Sequence, residues 1–463
     1  MLFSDDVIAA VATAWGEAAI AIVRLSGRGS VGLVDRFFRG AGPIAGEPPR
    51  RMALGSMAAQ DGARMIDQVL AVRFEEGASY TGEEAAEVHC HGGAAAARAC
   101  MDVFLESGAR AALPGEFTKR AFLNGRIDLA QAEAVLGVIR ARTDAELASS
   151  ARSLQGELSR ALRDLSGEMI SALAGIEAHI DYPDEVSGDE RSEIAFRLSE
   201  IGRRTRNLIE RCRAGLILKN GVRVAIIGRP NVGKSSLLNS LSGEDRAIVT
   251  DIPGTTRDTL DVSIVHRGLF VSLIDTAGMR DDVGFSGGAG VIEGMGIARS
   301  RAAISGSDIC ALVVDASVPL AEADLSAASA LRGKSSLLAL NKRDLPRALS
   351  RGEIERLGHF KRVVEVSALT GDGVGAIKDA IFDMAAGDAS LSEGVLAGER
   401  IIGALMESES CIREAESALE GACGVDVAGS LLAEASERVM LPLGGDAPED
   451  LMDAIFRNFC VGK

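Results

Sequence analysis

The sequence predicts a multidomain protein of mixed α+β and α/β class, with an α/β domain inserted into a helical domain. Its 463 residues exceed what one hydrophobic core usually organises. Between residues 221 and 366, short β-branched runs alternate with helical stretches, which is typical of a mostly parallel sheet. Helical periodicity flanks that region on both sides, so the helical domain is expected to come from two chain segments.

The first part of the chain is predicted to be an α+β domain over residues 1–120. Apolar runs at 7–12 and 19–23 are typical of buried strands, and a further run at 68–74 lies between glycine-containing turns. After Pro114-Gly115 the sequence becomes rich in Ala, Leu, Glu and Arg with helical spacing. We therefore assign residues 121–218 to the first part of the helical domain.

The α/β domain is predicted over residues 219–385. A β-branched strand at 221–228 opens it, and further core strands are predicted at 269–274, 309–314, 336–340 and 363–366. Helical periodicity returns from about residue 393 to Phe459, and Pro442 is expected to end a helix. This tail is too short for a core of its own, so residues 386–463 are expected to pack on the earlier helices.

Composition limits the kinds of function. Fifty basic against sixty-six acidic residues give a net charge of −16, so nonspecific attraction to nucleic acid needs a local basic patch or a partner. The seven cysteines include no C-x-x-C pair, which favours a reducing compartment. No apolar stretch approaches the roughly 20 residues of a membrane span, and the first residues are acidic. We expect a soluble cytoplasmic protein without a membrane partner.

One motif predicts a phosphate-binding loop. Residues 228–235 read G-x-x-x-x-G-K-S, directly after a predicted strand and before a predicted helix. Successive backbone N–H groups and the helix N-terminus form an anion cradle, Lys234 bridges the β- and γ-phosphates, and the Ser235 hydroxyl binds Mg²⁺. The candidate nucleotide-binding residues of this loop are Asn231, Val232, Gly233, Lys234, Ser235 and Ser236.

Two further segments are predicted to respond to the γ-phosphate. Asp275 follows an apolar strand, where its carboxylate can hold the metal's water, and Gly278 can sense the γ-phosphate. A Thr hydroxyl of the 250–256 stretch, assigned to Thr256, can complete Mg²⁺ coordination when the triphosphate is bound. The candidates in these segments are Thr250, Asp251, Ile252, Pro253, Gly254, Thr255, Thr256, Asp275, Thr276, Ala277 and Gly278.

The base is predicted to be guanine, so the nucleotides are GTP and GDP. Asn341-Lys342-Arg343-Asp344 follows a strand, and the Asp344 carboxylate can accept from both guanine N1–H and the exocyclic amine. Adenine does not offer that pair of donors. Ser367, Ala368 and Leu369 follow the last strand and are expected to close over the ring.

These residues resemble the GTP-binding domain of translation-factor-like GTPases, and the flanking segments narrow the resemblance. Residues 79–93 (SYTGEEAAEVHCHGG), residues 113–134 and the terminal Phe459-Cys460-Val461-Gly462-Lys463 are similar to the MnmE (TrmE) family of tRNA modification GTPases. The similarity extends over essentially the whole chain. It implies a GTP hydrolase that works as a homodimer in tRNA modification.

The resemblance also implies partners and a second ligand. An FAD-dependent partner, MnmG, would join the chain to install an aminomethyl or carboxymethylaminomethyl group on C5 of the wobble uridine of certain tRNAs. The one-carbon unit would come from 5-formyltetrahydrofolate bound in the N-terminal domain at the dimer interface. The matching folate-binding positions are Arg24, Glu87, Arg126 and Lys463. Taken alone, each of them is more typical of a surface ion pair, and only the match to the family motifs favours folate binding.

The family further implies catalytic and ion-binding roles. K⁺ would be held by Asn231 with Thr250, Ile252 and Thr255, and would act between two GTPase domains. Met279 cannot orient water, so Glu293 is the matching catalytic position alongside Lys234 and Asp275. Cys460 is a candidate nucleophile or proton donor near the folate, with an inert buried cysteine as the alternative.

Several positions depart from the family pattern or allow another interpretation. Trp15 and Glu17 stand where a Pro-Gly-Arg-Gly-Gly turn is usual, which puts folate affinity or dimer geometry in doubt, and residues 281–290 form a glycine-rich expansion. His89 and His91 are interpreted as structural rather than metal ligands. The alternative function is a ribosome-assembly or RNA-binding switch GTPase without modification activity, for which a basic RNA-reading domain is expected.

Overall fold

The computed structural model describes residues 6–181, 188–243, 262–275, 301–387, 390–420, 424–445 and 448–463. The chain forms two compact units. The first combines Met1–Leu136 with Ser436–Lys463, and the second is Gly137–Ala435. Both termini of the chain therefore belong to the same unit, and the second unit is one continuous segment. No helix among the described residues is long and apolar enough to cross a membrane.

The first unit is built on a seven-stranded sheet in the order β3-β4-β5-β6-β2-β1-β7. Neighbouring strands are antiparallel except β1 and β7, which are parallel. Helices α1 and α2 contribute apolar side chains to its core. The elements are β1 Ile8–Val11, β2 Ala18–Ser26, α1 Ser30–Phe37, β3 Phe38–Gly40, β4 Ala53–Ala58, β5 Met65–Phe74, β6 Ala85–Gly92, α2 Ala94–Glu106, β7 Arg110–Ala111 and α3 Glu116–Leu123.

The end of the chain packs within the first unit. Helix α14, Glu449–Phe456, lies against α3, where the rings of Phe122 and Phe456 are 6.5 Å apart. Helix α13, Val425–Met440, ends directly before a 3-10 turn that contains Pro442, which confirms the predicted helix end. The missing N–H of proline and its ring prevent the α-helix from continuing.

The helical part of the second unit confirms the predicted helical periodicity. It contains α5 Asp144–Leu154, α6 Glu157–Asp181, α7 Gly188–Asn220 and α12 Glu399–Glu420, while α4 Leu129–Arg140 and α13 extend across the boundary between the units. Thr143 caps the N-terminus of helix α5, because its hydroxyl accepts a hydrogen bond from the Glu146 N–H. Helices α7 and α12 pack side by side, so the returning helical segment lies on an earlier helix as expected.

The second sheet confirms the predicted mostly parallel order. Its described strands lie in the order β13-β12-β11-β8-β10-β9, and among them only β9 runs antiparallel to its neighbour. Its elements are β8 Val222–Ile227, α8 Lys234–Ser242, β9 Val262–His266, β10 Leu269–Asp275, β11 Ile309–Asp315, α9 Glu322–Ser329, β12 Ser336–Asn341, α10 Arg351–Arg356, β13 Arg362–Glu365 and α11 Val374–Ala386.

Candidate functional site

The phosphate-binding loop joins β8 to α8 at the carboxyl end of the parallel sheet. Its backbone takes left-handed conformations at Asn231 (φ 65°) and Gly233 (φ 93°). A Cβ on Gly228 would lie 2.4 Å from the carbonyl oxygen of Val313, so this position needs glycine for space as well as for its φ. The loop is thereby bent so that Lys234 begins helix α8.

Lys234 is held under this loop. The residue is 6% exposed, and its Nζ donates to the Arg229 carbonyl oxygen at 2.9 Å. Burial lowers the pKa of Lys234, while the nearby Asp275 carboxylate acts in the opposite direction. The Lys234 ammonium is thus held at the phosphate loop by a hydrogen bond to a backbone carbonyl oxygen, which a phosphate oxygen can replace.

Two of the residues predicted around Mg²⁺, Ser235 and Asp275, lie close together, while the third, Thr256, is outside the described residues. Ser235 Oγ lies 3.4 Å from Asp275 Oδ2, although the two residues are forty positions apart. A hydroxyl and a carboxylate are the hard oxygen donors that Mg²⁺ prefers, so the residues present fit that ion. No cluster of three or more His, Cys, Asp or Glu side chains suited to a metal occurs within the described segments.

Asn341 connects the phosphate loop to the base-side loop. Its Nδ2 donates to the Val232 carbonyl oxygen at 2.8 Å, and its Oδ1 accepts from the Ala368 N–H at 3.0 Å. The side chain is buried, and a Cβ on Gly233 would approach its Nδ2 to 2.3 Å. Sequence reasoning assigned Asn341 to nucleotide binding but missed this connecting role, because no local pattern indicates a bond between residues more than a hundred positions apart.

Removing the Asn341 side-chain amide is expected to weaken nucleotide binding. The cause would be the loss of its hydrogen bonds to the two loops, not the loss of a contact with the nucleotide. Asn341→Ala leaves a buried carbonyl and a partly buried N–H without their partner, so the free energy of unfolding should fall by about 2 kcal/mol. GDP affinity should fall with it. Denaturant unfolding and GDP titration of the same protein measure both effects. Asn239→Ala, which removes an exposed amide from helix α8, should change neither; normal GDP affinity in Asn341→Ala would contradict the connecting role.

The predicted base-binding residues lie on two neighbouring loops. Ser367 is buried, and its Oγ donates to Asp344 Oδ1 at 2.6 Å while it also accepts from the Thr370 N–H. One carboxylate oxygen of Asp344 is therefore fixed by the protein. Leu369 is 85% exposed, so its side chain is available to cover a flat ring at the edge of the loop.

Lys342 is supported by an acid that sequence reasoning missed. Its Nζ lies 2.6 Å from Asp315 Oδ2 at the end of strand β11. Burial raises the pKa of Asp315, but hydrogen bonds from Lys342 and Ser317 outweigh it and hold the pKa below its ordinary value. Lys342 has a left-handed backbone conformation with a φ of 65°, and the ion pair fixes the position of its ammonium group.

A second candidate site lies in the first unit, around two of the predicted folate residues. Arg24 and Glu87 face each other across strands β2 and β6, with Nε and Oε1 2.8 Å apart. His89 lies 3.3 Å from the other oxygen of Glu87. Arg24, Glu87, Tyr80 and Phe117 line a cavity of about 230 Å³. Its aromatic walls and half-buried carboxylate suit a flat ring that carries N–H donors.

The chain terminus reaches the same place. Arg24 donates to the Gly462 carbonyl oxygen at 3.4 Å, and a Cβ on Gly462 would collide with the backbone at Ala12. Burial and then Arg24 lower the pKa of Lys463, while Glu87 opposes the shift. Cys460 is exposed, so the alternative of a buried cysteine is wrong.

The remaining predicted residues have different placements. Arg126 is exposed, with its aliphatic stem against the Gly82 turn. Residues 250–256, 276–278 and Glu293, with most of the predicted γ-phosphate and K⁺ contacts, lie outside the described residues. His91 pairs with Asp67 at 2.7 Å, and His89 with Glu87. Trp15 is 62% exposed.

This fold and site define a P-loop nucleotide-binding protein, because the phosphate loop, Asp275 and the two base-side loops meet at the carboxyl edge of one mostly parallel sheet. Comparison with known sequences extends the assignment. The MnmE helical domain matches residues 129–460, and the N-terminus of the GTP-binding protein TrmE matches residues 7–126.

Proteins called tRNA modification GTPase MnmE are similar over their whole length. The sequence from Thermotoga sp. (strain RQ2) is 39% identical over 99% of this chain and all of that one. Those from Exiguobacterium sibiricum, with 37% identity over 99% of both chains, and Clostridioides difficile (strain 630), with 36% identity over the full length of both, are comparable. The chain therefore belongs to the MnmE family, as its sequence motifs predicted.

Proposed function

We propose that the chain hydrolyses GTP in the modification of tRNA. The names of its relatives support the overall activity, and the observation that carries the nucleotide assignment is the loop pair joined by Asn341. It sets a carboxylate suited to guanine, Asp344, beside a phosphate loop with Lys234 and Ser235. Bound Mg²⁺ would neutralise developing charge on the phosphates, with Ser235 and Asp275 among the residues that hold it.

The finer assignment concerns the modified base. We place the product at C5 of the wobble uridine of certain tRNAs, as an aminomethyl or carboxymethylaminomethyl group made together with the FAD-dependent partner MnmG. The cavity at Arg24 and Glu87 would hold 5-formyltetrahydrofolate, with Glu87 accepting from the pterin and Arg24, Arg126 and Lys463 available for its carboxylates. Of the candidate K⁺ ligands, Asn231 is the one that lies within the described residues. A cytoplasmic homodimer belongs to the same proposal.

The experiment is nucleoside analysis in a strain that lacks this protein. Mass spectrometry of wobble uridines should show loss of the C5-aminomethyl-type nucleosides, restored by the wild-type gene but not by Asp275→Ala or Arg24→Ala. Arg51→Ala, which removes an exposed arginine from the same unit, is the matched control and should restore them. Unchanged nucleosides in the deletion strain would contradict the proposal, and restoration by Arg24→Ala alone would remove the folate assignment.

A further inference from the structure

A positively charged groove lies at the amino ends of strands β12 and β13, on the side of the second sheet opposite to the nucleotide site. The loop from Leu331 to Ser335 leads into the amino end of β12, and the loop from Leu357 to Lys361 leads into the amino end of β13. The phosphate loop and Asn341 lie at the other end of the sheet, at the carboxyl ends of the parallel strands β8 and β12. The two loops line a groove of about 930 Å³, called here the basic groove.

The basic groove is cationic in a strongly acidic protein. It is lined by Arg332, Lys334, Arg356, His359 and Lys361, all of them exposed. The described residues that line it include no acidic side chain. Four permanent positive charges therefore face one groove, although the whole chain carries a net charge of −16.

These cations also lack the ion pairs that other surface arginines of this unit make. Arg347 pairs with Glu365 at 2.7 Å, and Arg351 pairs with Glu355 at 3.2 Å. No ion pair between described residues involves a cation of the basic groove, and Lys334 Nζ donates only to a neutral group, the Ser305 carbonyl oxygen, at 3.5 Å. Clustered like charges repel one another, so a groove that gathers them without an acidic lining residue favours an anionic ligand.

The backbone of the groove is open to a ligand and fixed in place. Gly333 (φ 80°) and Gly358 (φ 106°) have nothing within 4 Å of an added Cβ, so a phosphate can approach the main chain at either turn. The Lys361 N–H donates to the Ser336 carbonyl oxygen at 2.9 Å, and Phe360 packs against the apolar core behind it. Little ordering of the backbone is therefore needed on binding.

We propose that the basic groove binds the sugar-phosphate backbone of RNA. This inference rests on the proposed function in tRNA modification and assigns part of the substrate contact to the GTPase domain itself. Several cations in one groove can neutralise several phosphates at once, and lysine and arginine bind phosphate without reading sequence. The groove supplies the local basic patch that the net charge of the chain requires for any contact with nucleic acid.

The test measures tRNA binding by the full-length chain as a function of salt. The variant Arg332→Gln, Lys334→Gln, Arg356→Gln, Lys361→Gln should bind labelled tRNA about tenfold or more weakly at low salt, and the slope of log K against log salt should fall in magnitude by about three. Because these residues lie away from the nucleotide site, intrinsic GTP hydrolysis should stay at the wild-type rate, which also shows that the variant is folded.

Two controls separate this effect from net charge and from geometry. Arg197→Gln, Arg203→Gln, Arg351→Gln, Arg413→Gln removes the same charge from exposed, ion-paired arginines and should keep most of the affinity. Arg332→Lys, Lys334→Arg, Arg356→Lys, Lys361→Arg keeps every charge and should bind like wild type.

The outcomes distinguish the groove from the proposed function. Equal tRNA binding by wild type and the groove variant, or no binding by wild type at low salt, overturns the inference. If C5-modified wobble uridines nevertheless depend on the protein, the proposed function stands. Capture of a polyglutamate peptide by wild type but not by the groove variant, with tRNA binding unchanged, would instead assign the groove to an acidic protein segment.

Discussion

Replacing Asp344 by asparagine is expected to change the nucleotide from GTP to xanthosine triphosphate. The carboxylate accepts two hydrogen bonds from guanine, whereas an amide would set its NH₂ against the exocyclic amine. Xanthine carries an oxygen at that position, which accepts from the amide. Affinity for GTP should fall about a hundredfold or more, and affinity for xanthosine triphosphate should rise by a similar factor.

The structure makes this substitution a clean test. Ser367 Oγ donates to Asp344 Oδ1 at 2.6 Å, and it can donate equally to an asparagine Oδ1, so the loop keeps its conformation. Calorimetric titration with both nucleotides is the measurement. Asp372→Asn, which changes an exposed carboxylate paired with Arg343, is the matched control and should still prefer GTP. A preference for GTP in Asp344→Asn would show that Asp344 does not read the base.

Local chemistry explains which parts of the fold were predictable. Strands β8, β11 and β12 are apolar and mostly buried, and β10 is an apolar run whose residues alternate between buried and half-buried, so their sequences stand out from the helices between them. Strand β9 was not predicted. Its residues Val-Ser-Ile-Val-His are mostly half-buried at the sheet edge, where an antiparallel partner rather than a continuous apolar run defines the strand.

The sites show the same limit. The phosphate loop is a contiguous pattern, so its candidate residues could be named from the sequence alone. The acid that holds Lys342, Asp315, and the amide bonds from Asn341 to Val232 and Ala368 depend on strand order, which no motif encodes. The family resemblance predicted Arg24 and Glu87 as two independent folate-binding positions. The register of β2 with β6 places them opposite each other and makes them partners.

Lys234→Met is expected to separate the stability of the protein from its activity. The ammonium is buried and donates to a backbone carbonyl, and burial lowers its pKa. A lysine whose pKa is lower in the folded state than in the unfolded chain destabilises the fold at every pH below the folded value, because the unfolded chain binds its proton more tightly. Removing the charge should therefore leave the free energy of unfolding of the nucleotide-free protein unchanged or raise it.

Activity should change in the opposite direction. The same ammonium is the donor that meets the β- and γ-phosphates, so its loss should lower the rate constant of GTP hydrolysis by about 10²- to 10³-fold. Thermal unfolding without nucleotide and single-turnover hydrolysis are the two measurements, and Lys219→Met, which removes an exposed lysine at the end of α7, should affect neither. A variant that loses stability and hydrolysis together would mean that Lys234 supports the loop rather than the phosphates. If stability is retained while hydrolysis is lost, the buried charge is kept for its ligand, since the fold alone gains nothing from it.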